Sequence, residues 1–231
     1  MKNKINVVIG SWGSYNACNE RALGSKWLDF SAYNSWDEIA EELTKEGFKL
    51  NGIDEELFIQ DIEGIEDSSV SWDYMNPENL FNTLYESGVL SKDYKYDTMQ
   101  AFLEVRSYSD FEELVNKKGE NWDDDIRIMQ GYSWDDYGRE VFENYGYKID
   151  NNIDNFFDFA GYGEYMAEGY VEEYSDGVIE LELNQDELYE ILYALEDKVY
   201  HLEDNNGDKE KIGYLKSIAQ KVENKIKNWE A

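Results

Sequence analysis

Few sets of residues in this sequence have the types and spacing that chemistry needs. His201, between Tyr200 and Leu202, is the single histidine. Any Ser–His or Cys–His nucleophile would depend on it, yet it falls in a long helical pattern where a solvent-facing imidazole is the ordinary outcome. Zinc sites require several Cys or His ligands, and Cys18 is the one cysteine. Asp123-Asp124-Asp125 could attract Ca²⁺ or Mg²⁺, but neither it nor Asp204 to Asp208 has the alternating Asp/Asn pattern and closing Glu of a calcium loop. Gly161-Tyr162-Gly163 follows no strand and precedes no Lys-Ser/Thr, so it is not a phosphate loop. Paired carboxylates could hydrolyse a glycosidic bond, but among 52 acids any such pair arises by chance. The residues therefore predict no catalytic group, no cofactor and no metal, and a chain that is not an enzyme.

What stands out is charge. The chain has 231 residues, with 52 Asp and Glu against 21 Lys and Arg, for a net charge of −31. Acidic excess on this scale often marks disorder. Here 42% of residues are apolar and 16% aromatic, which supplies a sizeable core. The chain is expected to be folded and very acidic at once. Such a surface repels nucleic acid and anionic membranes. No apolar run approaches the roughly 18–20 residues that span a bilayer. The opening MKNKINVVIGSWGSYN has too short an apolar run for a signal peptide, and a lone cysteine fits a reducing cytosol.

The elements that would position these charges are mixed, which predicts an α+β fold of several small subdomains. Residues 1–68 carry strand signals at Ile5–Ile9, Lys26–Phe30 and Leu57–Ile59. They also carry a capping box, Ser35 with Glu38, opening a helix that stops at Gly47. Residues 69–119 read as a helical bundle. Its first helix is opened by Asn76-Pro77 and closed by Gly88, a second covers Met99 to Leu103, and a third is capped by Ser109 with Glu112 and closed by Gly119. In residues 120–184, Ser133 caps a helix ending at Gly146, an aromatic stretch from Ile153 to Met166 is partly helical, and a hairpin turns at Asp176-Gly177. That turn sets Glu173 opposite Glu180, a like-charge pair costly to the sheet. Residues 185–231 repeat apolar positions at 4-3 spacing, Leu188 to Leu202 and Ile212 to Trp229, and predict a helical hairpin. Residues 1–185 hold 41 acids and 14 bases, or −27, so the acidity belongs to the main body.

Acids on helices three or four apart lie about 5–6 Å from each other, within a factor of two of neighbouring phosphates. A charge of −31 matches about 15 base pairs of duplex. The carboxylates best placed to imitate phosphates are Asp110, Glu112, Glu113, Asp123, Asp124, Asp125, Asp135, Asp136, Glu172, Glu173, Glu180 and Glu182.

Specific motifs then resemble a known family. Tyr15-Asn16-Ala17-Cys18-Asn19-Glu20, Gly24 and Trp27-Leu28-Asp29-Phe30 resemble the opening motif of the ArdA antirestriction proteins. Glu56 to Glu63 resembles the family's next strand. Asp136-Tyr137-Gly138 to Tyr147, then Asn155 to Gly163, resemble its C-terminal region. The likeness spans about residues 5–184. Cys18 replaces the usual Tyr, Arg21 stands where Gly is common, Ile62 replaces Tyr, and the 185–231 hairpin lies outside the pattern. The resemblance implies an elongated, three-domain inhibitor in the cytoplasm of a bacterial host, carried on mobile genetic elements. It would imitate bent DNA, occupy the DNA-binding groove of a type I restriction-modification enzyme and dimerise through its third domain. Aromatic residues there, Phe156, Phe157, Phe159 and Tyr162, are the dimer-interface candidates. Two alternatives stay open: a DNA mimic aimed at another defence nuclease such as a CRISPR effector, and a carboxylate-based hydrolase.

Overall fold

The computed structural model describes residues 5–65, 70–150, 154–167, 170–181, 185–204 and 209–229. The chain divides into two compact units, residues 1–180 and 181–231.

The first unit opens on a three-stranded antiparallel sheet. Strand β1 (Asn6–Ser11) lies between β2 (Leu28–Asp29) and β3 (Leu57–Glu63). The predicted strand Lys26–Phe30 shrinks to two residues, because Asp29 accepts the Ser31 N–H at 3.1 Å and turns the chain into a 3-10 turn, Phe30–Ala32. A bulge between Val8 and Ile9 leaves Gln60 of β3 without an opposite residue. Val7, Ile9, Leu28, Phe30 and Ile59 are buried, together with Ile39 and Leu43 of helix α2 (Trp36–Lys45). Ser35 caps α2 by accepting the Glu38 N–H at 3.4 Å. The reciprocal half of the predicted box goes elsewhere, since the Glu38 carboxylate accepts the Asn34 N–H at 2.8 Å.

A short helix that the sequence reading lacks, α1 (Trp12–Ala17), follows β1 directly. It is tied down by buried Asp54. The Ser14 hydroxyl and the Lys49 N–H (2.7 Å) donate to that carboxylate, and Asn19 donates to Ser14 Oγ at 2.9 Å. Burial pushes the Asp54 carboxyl up, but the hydrogen bonds from Lys49, Ser14 and Ser11 outweigh it and hold the group below its ordinary 3.8. A carboxyl depressed on folding stabilises above its unfolded pKa and loses that contribution as pH falls through the folded one. The stability gap between wild type and Asp54→Asn should therefore shrink as pH drops from about 5 to about 2. Taking the difference also cancels the relief of general charge repulsion on acidification. A gap that stays constant in chemical unfolding across that range would remove the assignment.

Helices α3 (Pro77–Glu86), α4 (Asp93–Val105) and α5 (Tyr108–Lys118) form the next layer. Asn76 caps α3 by accepting the Glu78 and Asn79 N–H groups, and Phe81 meets Phe30 edge-on at 5.5 Å, joining helices to sheet. The cap of α5 is Ser107, whose box partner is Asp110; Ser109, predicted to be the cap, is already inside the helix. Both serines precede an acid three positions on, and Ser107 prevails because starting there buries Tyr108 along with Phe111 and Val115. Trp122, beyond the end of α5, fills the centre of this layer. Its ring meets Phe111 at 4.9 Å and Phe102 at 6.4 Å, and its Nε1 donates to the Ser87 carbonyl at 3.1 Å.

The remainder of this unit is a second sheet, order β4-β6-β5, covered by α6 (Trp134–Asn144) and α7 (Phe159–Ala167). Strands β5 (Val171–Tyr174) and β6 (Gly177–Leu181) form the predicted hairpin, but with Ser175-Asp176 at the turn. The register is Val171↔Glu180 and Glu173↔Val178, so the expected Glu173–Glu180 pair does not exist. The cause is β4 (Ile126–Gln130), which has no counterpart in the sequence reading. It passes so close to Gly177 that a Cβ would collide with the Met129 carbonyl oxygen, which places the glycine in the strand rather than in the turn.

Helices α6 and α7 touch backbone to backbone. A Cβ on Gly138 would overlap the Phe159 carbonyl oxygen. Gly138→Ala should force the pair apart at a cost of about 2–3 kcal/mol, read as a lowered midpoint in urea. An unchanged midpoint would mean that the helices are not held at this distance.

The second unit is the predicted helical hairpin, α8 (Gln185–Asp204) and α9 (Lys209–Trp229). Val199 is buried in its seam, while Leu192, Leu195, Leu202, Ile212, Leu215, Ala219 and Val222 are half-buried. The side chains of Leu188, Ile226 and Trp229 and the 205–208 turn lie outside the described residues.

Candidate functional surface

The predicted carboxylates fall into three groups once their partners are known. Five carry an ion pair. Asp123 meets Lys95, Asp125 meets Lys118, and Glu172 meets Arg106. Asp135 meets Arg139 at 2.7 Å, and Glu180 meets Arg127 at 3.5 Å. Two are helix caps. Asp110 accepts the Ser107 N–H at 3.0 Å, and Asp136 accepts the Ser133 N–H at 2.9 Å. The Ser133 hydroxyl and N–H hold the Asp136 carboxyl below the usual aspartate range, and the positive end of α6 favours the same charge. The third group, Glu113, Asp124 and Glu173, is exposed and has no ion pair among the described residues; Glu112 is half-buried with none. Glu182 lies outside the described residues.

The run Asp123-Asp124-Asp125 is thus split by its neighbours. The Lys95 side chain is 3% exposed and its ammonium also donates to the Glu120 carbonyl, with the Tyr94 and Trp122 rings each 5.8 Å away. Asp123, 14% exposed, neutralises a cation that the core would otherwise hold alone. Asp124 alone of the three turns to solvent without a cation. Among the described residues no group of three or more His, Cys, Asp or Glu is arranged to hold a metal ion.

Other carboxylates belong with the exposed group and are absent from the sequence-based set. Glu55 and Glu56 precede β3, and Asp61 and Glu63 alternate along it, all exposed. Two residues along a strand span about 6.6 Å, a phosphate-like spacing. The period-two alternation of Asp61 and Glu63 was the available signal.

The aromatic candidates are divided too. Phe159 is buried, and Phe157 and Tyr162 are half-buried in a cluster around Phe142 at centroid distances of 5.1 to 5.7 Å. Arg139 stacks over Phe159 at 4.0 Å and reaches Asp154 at 3.0 Å. Phe156 is different, 86% exposed. His201 contacts Asp197 on its own helix at 3.5 Å, an exposed pair four residues apart.

Chemically, this surface is an array of ionised carboxylates. Some are fixed by caps and ion pairs, and others are fully open to a cationic partner. Among the described residues, no helix is long and apolar enough to cross a membrane. No curated protein matches the sequence. The sequence model of the antirestriction protein family ArdA matches residues 7–180, about three quarters of the chain. By that match the chain belongs to the ArdA antirestriction proteins, with the helical hairpin appended beyond the matched span.

Proposed function

We propose that the protein inhibits a type I restriction-modification enzyme by occupying its DNA-binding groove in place of DNA. Antirestriction implies an interaction with restriction-modification enzymes, and DNA mimicry gives that interaction a physical basis. The supporting observation is the −27 carried by residues 1–185, with exposed carboxylates that have no ion pair among the described residues on successive elements: Asp61 and Glu63, Glu113, Asp124 and Glu173. A groove built to neutralise phosphates offers these groups arginines and lysines, and releases its bound anions when they arrive. No bond is broken in this mechanism. The paired acids hold the scaffold and the unpaired ones meet the target, in the reducing cytosol that suits Cys18. The likeness to the family also carries a homodimer, for which Phe156 is the exposed candidate among the predicted rings.

Competition tests the proposal directly. A labelled duplex bound to the purified methyltransferase core of a type I enzyme should be displaced stoichiometrically by the protein. Formation of a ternary complex that retains the duplex would exclude occupation of the groove. Displacement of the guide-loaded duplex from a CRISPR effector, with no effect on the type I core, would move the target to another defence nuclease.

A further inference from the structure

Two polar contacts join helix α4 to the β5–β6 hairpin across long stretches of chain. The Arg106 guanidinium pairs with Glu172, 66 positions later. The Glu104 carboxylate accepts both donors of Ser175, its N–H at 2.6 Å and its hydroxyl at 2.7 Å, 71 positions later. Glu172 is the second residue of β5 and Ser175 follows its last, so the strand is held near both ends. Between them lies Glu173, exposed and without an ion pair among the described residues. Val171 and Val178 pack with Tyr137 and Ala167. By strand alternation, Glu172 and its opposite residue, buried Ile179, belong to the other face of the hairpin, and α4 lies against β5. On the helix side, Arg106 takes the extended backbone that ends α4 (φ −135°, ψ 165°), and Ser107 at once caps α5. The contacts therefore grip the corner from which α5, with Glu113, departs.

Folding stability is a weak reason for this arrangement. The Arg106 and Glu172 side chains are 32% and 36% exposed, and ion pairs at that exposure contribute little. What the contacts fix is placement. We propose that Glu104 and Arg106 are positioning residues for inhibition, holding Glu173 at a fixed offset from the α4–α5 corner and from Glu113, so that the carboxylate array reaches its target pre-set. This deepens the groove-occupying reading above and rests on it. A cation in a groove acts over a screening length of about 8–10 Å. Carboxylates that drift by a few ångströms lose simultaneous contacts, and ordering them on arrival subtracts from affinity.

Charge reversal at Arg106 separates placement from charge count. Arg106→Glu takes the net charge from −31 to −33, and adding Glu172→Arg returns it to −31. On charge alone the first change strengthens a phosphate mimic. With the grip it should raise the concentration needed to displace duplex from the type I methyltransferase core at least about tenfold, and the double exchange should recover to within about threefold. Geometry is read separately in the full chain. Nitroxides at Asn116 of α5 and at Glu173, each changed to Cys in a Cys18→Ser background, should give a narrow distance distribution by pulsed electron resonance. That distribution should broaden with Arg106→Glu and narrow again in the double exchange. Glu104→Ala, at an exposed helical position, should broaden it too, and serves if Arg106→Glu fails to fold. An Arg106→Glu chain that displaces duplex as well as wild type would overturn the proposal, as would a distribution that neither Arg106→Glu nor Glu104→Ala broadens. An exchange that fails to recover both readouts would do the same. A wild type that leaves the duplex bound, while the label distances respond as described, would overturn the groove reading and leave the grip standing.

Discussion

Raising salt from about 0.05 to 0.5 M should weaken binding to a restriction-modification enzyme by at least about a hundredfold. The expectation follows from the way the charge is held. Carboxylates with no cation of their own, such as Glu113, Asp124 and Glu173, gain from a target's cations in proportion to how weakly salt screens them. Single replacements should each cost little, because the field is shared. Glu113→Gln, Asp124→Asn and Glu173→Gln together should cost more than any three of the paired acids that leave the fold intact, and should flatten the salt slope. Competition titrations at stepped salt would measure both. An affinity indifferent to salt would rule out phosphate imitation, and a single carboxylate whose loss ended inhibition without unfolding would point to a different kind of site.

Lys95→Met should destabilise the fold by about 3 kcal/mol. The substitution keeps the apolar stem but removes the ammonium that Asp123 and the Glu120 carbonyl share, leaving a carboxylate only 14% exposed without its cation. Asp123→Asn should cost nearly as much, for the converse reason. Asp124→Asn, one residue away, should change stability by less than about 0.5 kcal/mol. Urea unfolding of the three variants gives the comparison, and equal stabilities would show that the Lys95–Asp123 pair contributes nothing net. The contrast matters for function. Loss of inhibition in Asp123→Asn would report unfolding, whereas in Asp124→Asn it would report recognition.

Local signals served the helices well and the sheets poorly. Ser35, Asn76-Pro77 and Ser133 do start helices, and positive φ at Gly47, Gly88 and Gly146 follows their ends, because capping is settled within four residues of chain. The choice of Ser107 over Ser109 needed the buried positions of Tyr108 and Phe111, which depend on Trp122. Strand β4 was illegible: five residues after an acidic run, paired with a partner about fifty residues later, give no local pattern. The slipped register of β5 and β6 follows from it. The surface was legible as charge but not as pairing. Lys95 and Asp123 are 28 positions apart, and Arg106 and Glu172 are 66 apart. Which acids a fold consumes internally is decided by such contacts, so a list of acids is not yet a list of those free to meet a target.

Strand β1 leaves the ribosome before both of its partners, yet it occupies the middle of its sheet. Its long-edge partner, β3, ends at Glu63, about fifty residues later, or roughly 3–10 s at ordinary rates of synthesis. Through that interval Val7, Val8 and Ile9 are an unpaired apolar segment on a nascent chain, held at most by the two residues of β2. Codon usage or chaperone access between residues 12 and 63 should therefore govern the yield of soluble protein more than any later stretch, and rare codons placed there should send the product into aggregates.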